Sequence, residues 1–211
     1  MHLLLTDRLV CPRCGPGFGL ILRSDRLVDR RVLEGGLGCP NCRDRFPIVD
    51  GFADLRPPPR GELPTVPAPP PPDPDETDAL AALLGVTQGP GNLGVVGALS
   101  AHAAGLADRI PGVEVIAIGV EMRAETEREG VSRMAAGVEL PFHPWSLRAL
   151  ALSAGSAALL ERPAELAQLV PRGGRIVVEG SAADAAERLA AAGARVLARD
   201  ARWLVGVRET G

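Results

Sequence analysis

The sequence predicts an α/β protein in two parts: a mainly parallel sheet closed by a C-terminal hairpin, preceded by a small module folded around a metal. Three observations predict it. Four cysteines form two Cys-x-x-Cys pairs near the N-terminal end. From Leu93 to Glu179, short apolar runs alternate with helical stretches, the pattern of a parallel sheet covered on both faces. Two final apolar runs, Arg195–Arg199 and Trp203–Val207, flank Asp200-Ala201-Arg202 as the arms of a hairpin.

The chain has 211 residues, enough for one ordinary domain and a small extra module. Hydrophobic residues are 46% and charged residues 23%, a folded rather than a disordered composition. All 23 basic residues are arginine. The missing lysines exclude chemistry that needs a lysine base, a Schiff base or a phosphate-loop lysine. A formal charge of −3 excludes nucleic-acid or anionic-membrane binding held by bulk charge alone.

Met1-His2-Leu3-Leu4-Leu5 runs at once into Asp7 and Arg8, so no signal peptide is expected. Residues 79–107 lack Asp, Glu and Arg, but Gly89-Pro90-Gly91-Asn92 interrupts them. They read as helix, loop, strand and helix rather than a membrane span. Paired rather than scattered cysteines point to metal binding in a reducing, cytoplasmic setting.

Three segments follow: 1–56 with all the cysteines, 57–78 with ten of the twenty prolines, and 79–211 rich in Ala, Leu, Val and Gly. Their formal charges are +2, −4 and −1. The proline segment supplies few ladder or helix donors and reads as an extended, semi-rigid linker.

Cys11-Pro12-Arg13-Cys14 and Cys39-Pro40-Asn41-Cys42 are two knuckles separated by 24 residues. Each turn aims two sulfurs at one point, and four thiolates complete a closed tetrahedral site. The expected ligands Cys11, Cys14, Cys39 and Cys42 leave no open position, so the zinc is expected to be structural. Gly19–Leu22, Arg31–Glu34 and Phe46–Val49 read as strands, in a module with too little apolar core to fold without its metal.

Leu9-Val10-Cys11-Pro12-Arg13-Cys14-Gly15, Gly38-Cys39-Pro40-Asn41-Cys42, Phe46-Pro47-Ile48-Val49-Asp50-Gly51 and Asp54-Leu55 resemble the zinc-ribbon family of the small activator subunit of tRNA and protein methyltransferases. The resemblance covers about the first quarter of the chain. It implies a ribbon that packs against a methyltransferase domain and supports it.

In the large segment, Leu93–Val96, Val113–Ile118, Leu147–Ser153 and Arg175–Glu179 read as strands. Ser100–Ile110 reads as a helix capped by Ser100, Glu121–Glu129 as a short charged helix, and Pro163–Val170 as a helix with proline in its first turn. A further helix is expected from a Ser181 cap, with Asp184 three residues on, to a stop at Gly193. This order resembles the class I S-adenosylmethionine-dependent methyltransferase fold, whose last strand is antiparallel. Glu139-Leu140-Pro141-Phe142, Glu165-Leu166-Ala167 through Pro171-Arg172-Gly173-Gly174-Arg175, and Ala192-Gly193-Ala194-Arg195-Val196 carry that resemblance.

The cofactor motifs depart from the family. After the first strand a glycine-rich loop is expected, because glycines let backbone approach the ligand. Gly97-Ala98-Leu99-Ser100-Ala101 offers only Gly97. The ribose-binding acid is expected where Gly119 stands, with Glu121 two residues on as a poor substitute. The adenine-side acid falls at about Ala136. Three readings follow. The first is a methyltransferase-like protein with a degraded S-adenosylmethionine site, a pseudoenzyme acting as a binding or assembly partner. The second is an active methyltransferase with an unusual loop, whose cofactor contacts would be Gly97 and Glu121. The third is an RNA-binding ribbon using Arg23, Arg26, Arg30, Arg31, Arg43 and Arg45. No catalytic residue is assigned. His143, with Trp145 nearby, is a candidate base or stacking group in a loop at the cleft edge, Glu139 a candidate acid, and His102 a helix-face residue.

Overall fold

The computed structural model describes residues 1–180 and 184–209. The predicted Ser181 cap lies outside them. The first strands are β1 (Val10–Cys11), β2 (Gly15–Gly19), β3 (Ile21–Val28), β4 (Arg31–Gly38), β5 (Arg45–Val49) and β6 (Phe52–Leu55). Helix α1 (Pro74–Leu84) begins inside the proline segment. There Asp73 caps it by accepting from the Asp75 amide, and Gly85 ends it in the left-handed conformation at φ 66°. Then come β7 (Gly91–Val96), α2 (Ala103–Arg109), β8 (Val113–Ile118), β9 (Val131–Ala136) and β10 (Ala149–Leu152). Last are α3 (Pro163–Leu169), β11 (Arg175–Glu179), α4 (Ala185–Ala191), β12 (Ala194–Arg199) and β13 (Trp203–Arg208).

Eleven strands form one sheet in the order β12-β13-β11-β10-β7-β8-β9-β6-β5-β4-β3, and β1 and β2 pair separately. From β11 to β9 the strands are parallel, and β13 inserts antiparallel against β11, with Val177 opposite Val205. The predicted hairpin is β12–β13.

The ribbon and the large segment share this sheet. Strand β6 lies parallel to β9, with Phe52 opposite Arg133 and Leu55 opposite Ala136. A second contact joins Leu9 to Phe142 by an isolated antiparallel bridge; the Val10 amide donates to Pro141 and the His143 amide to Arg8, each at 2.9 Å. One apolar cluster runs from ribbon residues Leu5, Leu37, Phe46 and Ile48 through Leu55 and Phe142 to Leu150 and Ile176. The other sheet face buries Leu93, Val95, Val115 and Ala151 under α1 and α2.

The sequence pattern predicts no strand between Ile118 and Leu147. Strand β9 lies there, and it is the one the ribbon pairs with. Its apolar period is broken by Arg133, which is buried. Arg133 donates through Nη1 to the carbonyl oxygens of Met122 (3.1 Å) and Glu125, and through Nη2 to that of Asp50 and, at 3.4 Å, to the Glu127 carboxylate. Beside it Arg31, from β4, donates to Glu127 at 2.6 Å, to Glu114 at 2.5 Å and to the Val131 carbonyl. Ion pairs buried this far are costly to desolvate, so their weight lies in fixing how the two parts meet.

Two further expectations are corrected. Glu121–Glu129 is not a helix: a 3-10 turn covers Val120–Ala124, and the chain then extends to supply the Glu125 carbonyl and Glu127 carboxylate to Arg133. Ser100 is not a helix N-cap. It lies within a 3-10 turn, Gly97–His102, that leads into α2. Among the described residues no helix is long and apolar enough to cross a membrane.

Candidate metal centre and cofactor cleft

The knuckles bring Cys11, Cys14, Cys39 and Cys42 together with all four sulfurs within 4.8 Å of one another. Cys11 Sγ is 3.7 Å from Cys42 Sγ, and Cys39 Sγ is 3.9 Å from Cys14 Sγ. Four thiolates at about 2.3 Å from a tetrahedral zinc stand roughly 3.8 Å apart, so the donor set and its spacing fit that ion. The Cys14 amide donates to Cys11 Sγ at 3.4 Å and the Asn41 side-chain amide to Cys14 Sγ at 3.4 Å, polarity that suits anionic sulfur. Burial works to raise the Cys39 pKa, but the Cys42 and Asn41 amides and the neighbouring thiols outweigh it and lower it to about 7. Arg13 bonds Asp44 at 3.1 Å across the two knuckles. All four cysteines of the chain lie in this one cluster, so no thiol stands elsewhere.

The second region is a cleft of about 240 Å³ at the carboxyl ends of β7, β8 and β9. This is where parallel sheets of this type hold ligands. Its walls are Val96, Ile118, Val120, Val138, Leu140 and Leu159, with Gly97, Gly119 and Ala136 at the strand ends and Ser156 as its polar side chain. Gly97 is in the left-handed conformation at φ 66°, and a Cβ there would stand 2.7 Å from Ser156 Oγ and closer still to Ser153 Oγ. Ser153 Oγ also accepts from the Ala98 amide at 3.2 Å. Glycine is therefore needed at 97 to let the loop pass the end of β10, and two serine hydroxyls already occupy the space beside it.

Glu121 does not line the cleft directly. Its carboxylate crowds the position a Cβ on Gly119 would take, and it accepts from Ser100 Oγ at 3.1 Å. The turn at Val120–Ala124 thus folds the acid back to the end of β8, which spacing along the sequence does not reveal. At the end of β9 stands Ala136, with no carboxylate among the lining residues.

The other sequence candidates lie elsewhere. His143 sits at the ribbon seam, where a Cβ on Gly19 would be 3.8 Å from its Nε2, and does not border the cleft. Glu139 is exposed and pairs with Arg162. His102 is buried between α1 and α2, its Nδ1 2.9 Å from Thr77 Oγ1. Burial holds its pKa below the ordinary histidine value. Trp145 lies below the amino-terminal end of β10, away from the cleft. Of the ribbon arginines, Arg31 is only 8% exposed and fully engaged, while Arg23 and Arg26 pair with Asp25 and Glu34.

Residues 2–51 match the family model described as Trm112p-like protein. No curated protein matches the sequence. Among solved structures, a chain of the complex between the Haloferax volcanii Trm112 methyltransferase activator and the putative methyltransferase superposes with a TM-score of 0.51. It is 16% identical, over 63% of this chain and 88% of that one. Geranyl diphosphate C-methyltransferase from Streptomyces coelicolor A3(2), solved with Mg2+, geranyl diphosphate and S-adenosyl-L-homocysteine, also superposes at 0.51. It is 11% identical, over 64% of this chain and 78% of that one. Such identities establish a shared fold. The chain joins an N-terminal Trm112p-like domain, with its four-cysteine cluster, to a methyltransferase-like Rossmann fold.

Proposed function

We propose that this chain is a methyltransferase-like protein whose S-adenosylmethionine site is degraded, and that it works as a binding or assembly partner rather than as a catalyst. The cleft carries the reading. At about 240 Å³ it falls below the roughly 300–1,000 Å³ usual for small-molecule sites, and its lining is almost wholly apolar. An adenosyl ligand needs polar anchors for its ribose and amino-acid ends. The strand ends present Gly97, Gly119 and Ala136 in their place.

The ribbon's role follows from its docking. Zinc held by Cys11, Cys14, Cys39 and Cys42 ties the knuckles together, and β6 completes the sheet beside β9. The edge that such a ribbon would offer a separate methyltransferase is taken by its own large domain. The zinc is structural, and its four thiols belong in a reducing, cytoplasmic setting.

A second reading, an active methyltransferase, is favoured by one observation. The Glu121 carboxylate lies at the end of β8, where an acid for the ribose hydroxyls is expected. Gly97 and Glu121 would then be its cofactor contacts. Calorimetric titration of the zinc-loaded protein with S-adenosylmethionine separates the readings. No heat of binding from folded protein supports the degraded site; micromolar binding that Glu121→Gln abolishes supports the enzyme.

A further inference from the structure

We infer that the amino-terminal end of the parallel sheet, opposite the cofactor cleft, is a docking surface for a single-stranded nucleic acid. A base would stack on Trp145, and the phosphates would be held by the arginines around it. Trp145 is 65% exposed and takes a left-handed conformation at φ 61°. That conformation is strained for a bulky residue and persists only where surrounding structure enforces it. Here the Trp145 amide donates to the Gln168 carbonyl at 2.8 Å and the Ser146 amide to the His143 carbonyl at 3.3 Å, which hold the ring out of the core.

Arginines converge on the same edge. The Arg208 guanidinium lies 6.0 Å from the Trp145 ring centroid and donates to the Val170 carbonyl at 2.7 Å. One row of backbone hydrogen bonds places Arg208 beside Gly174 (3.0 Å) and Arg148 beside Asn92 (2.7 Å). Arg172 stands in the turn between them, since the next amide, Gly173, donates to the Arg208 carbonyl at 2.9 Å. The Arg8 carbonyl accepts from the His143 amide at 2.9 Å, which brings Arg8 in from the ribbon. Arg8, Arg148 and Arg172 are exposed. Among the described residues none of these four arginines has a carboxylate partner, whereas thirteen others in the chain do. The adjoining acids in sequence are Asp7, which is exposed, and Glu209, which faces Arg195 at 3.7 Å.

Arg148 and Arg208 each donate to backbone carbonyls, of Gln88 and Pro90 and of Val170, and keep their full charge. Guanidinium groups without carboxylate partners around one fixed, exposed indole are the parts of a stacking platform: aromatic face for a base, planar cations for the backbone. A paired duplex keeps its bases stacked on each other and offers Trp145 none. An acidic peptide would use the arginines and leave the indole without a matching group. Ribbon and large domain both contribute cations to this edge, Arg8 on one side and Arg148, Arg172 and Arg208 on the other, while Asp29, Asp108, Glu114 and Glu129 line the cleft that adjoins Arg8.

The test is fluorescence anisotropy on the full zinc-loaded chain. The probes are a labelled RNA of about 12 nucleotides, the DNA of the same sequence, and the corresponding duplex. Binding of the single strands over the duplex is expected, with quenching of tryptophan emission. Trp145→Gly, which suits the backbone conformation, is expected to weaken binding about tenfold, and Trp145→Phe to keep most of it. Arg8→Glu and Arg172→Glu are each expected to flatten the salt dependence by about 0.7 in slope or more. Arg43→Glu on the ribbon should leave binding unchanged. The proposal is overturned by no binding at low salt, by equal binding of duplex, by indifference to Trp145→Gly, by loss of binding in Arg43→Glu, or by displacement with polyglutamate at matched charge.

Discussion

Arg31 and Glu127, 96 positions apart, meet at 2.6 Å across the seam between the ribbon and the large domain. Arg31 also reaches Glu114 at 2.5 Å, and Glu127 is shared with Arg133 and with the Met1 ammonium, each at 3.4 Å. Charge therefore links β4 of the ribbon to β8 and β9 of the large domain, beside the hydrogen-bonded ladder of β6 and β9.

Arg31→Met is predicted to be strongly destabilising. It leaves the largely buried Glu114 carboxylate without its cation and Glu127 with only its longer contacts to Arg133 and the Met1 ammonium, a change worth about 3–5 kcal/mol in comparable sites. Adding Glu114→Gln should restore part of the loss, because the unpaired charge is then removed while Glu127 keeps Arg133 and the Met1 ammonium. Urea denaturation of the two variants checks both; equal stability of Arg31→Met and wild type would contradict the role given to this pair.

The metal centre yields a second prediction. Elemental analysis should find one zinc per chain, and Cys42→Ser or a strong chelator should unfold the ribbon. The consequence reaches beyond the ribbon, because Phe52, Ala53, Asp54 and Leu55 are all buried against its neighbours in the sheet. Losing them uncovers β9 as an open edge, and open edges pair with other chains. Metal removal should thus raise light scattering as well as release zinc, while a ribbon tethered only by a flexible linker would melt silently.

The cofactor loop gives the third. Gly97→Ala places a Cβ against Ser153 and Ser156 at a backbone angle that L-residues avoid. A loss of about 1–3 kcal/mol is expected in urea denaturation without any ligand present. Ser153→Ala in the same chain should recover part of it. A neutral Gly97→Ala would mean that the loop can open, and would favour a larger cofactor site.

What the sequence made legible follows from how locally each feature is encoded. The cysteine knuckles were readable because two tight turns with matched spacing already determine a four-sulfur site. The strands at Leu93, Val113, Ala149 and Arg175 were readable from continuous apolar runs. Strand β9 was not. Val131-Ser132-Arg133-Met134-Ala135-Ala136 has no apolar alternation, and Arg133 is tolerable in the core because the Met122, Glu125 and Asp50 carbonyls, the last 83 positions away, and the Glu127 carboxylate take its two terminal nitrogens. Glu121 reads as a weak substitute for the acid expected where Gly119 stands, but its return to the strand end depends on a turn whose residues read as helix. Trp145 stands out beside His143 in the sequence, yet its company of arginines depends on sheet register linking Arg208, Gly174 and Arg148.

His102 provides the last prediction. It is 6% exposed between α1 and α2, with Thr77 as its hydrogen-bond partner at 2.9 Å. Burial lowers its pKa below the ordinary 6.5, Glu76 and Glu179 pull it back up, and Arg202 and Arg109 add to the lowering. The folded state therefore takes up a proton less readily than the unfolded chain. Above 6.5 both states hold neutral histidine and the site carries no penalty. As pH falls below 6.5 the unfolded chain binds the proton first, so stability declines until the folded pKa is passed. His102→Gln, which can keep a bond to Thr77 but does not titrate, should remove this share of the decline. Urea denaturation of both proteins at a series of pH values from about 7.5 to 5 measures it, since most carboxylates stay ionised there and cancel between the two. The stability gap between wild type and variant should move in the variant's favour as pH drops. A gap that stays constant across the range would show that His102 titrates alike in the folded and unfolded chains.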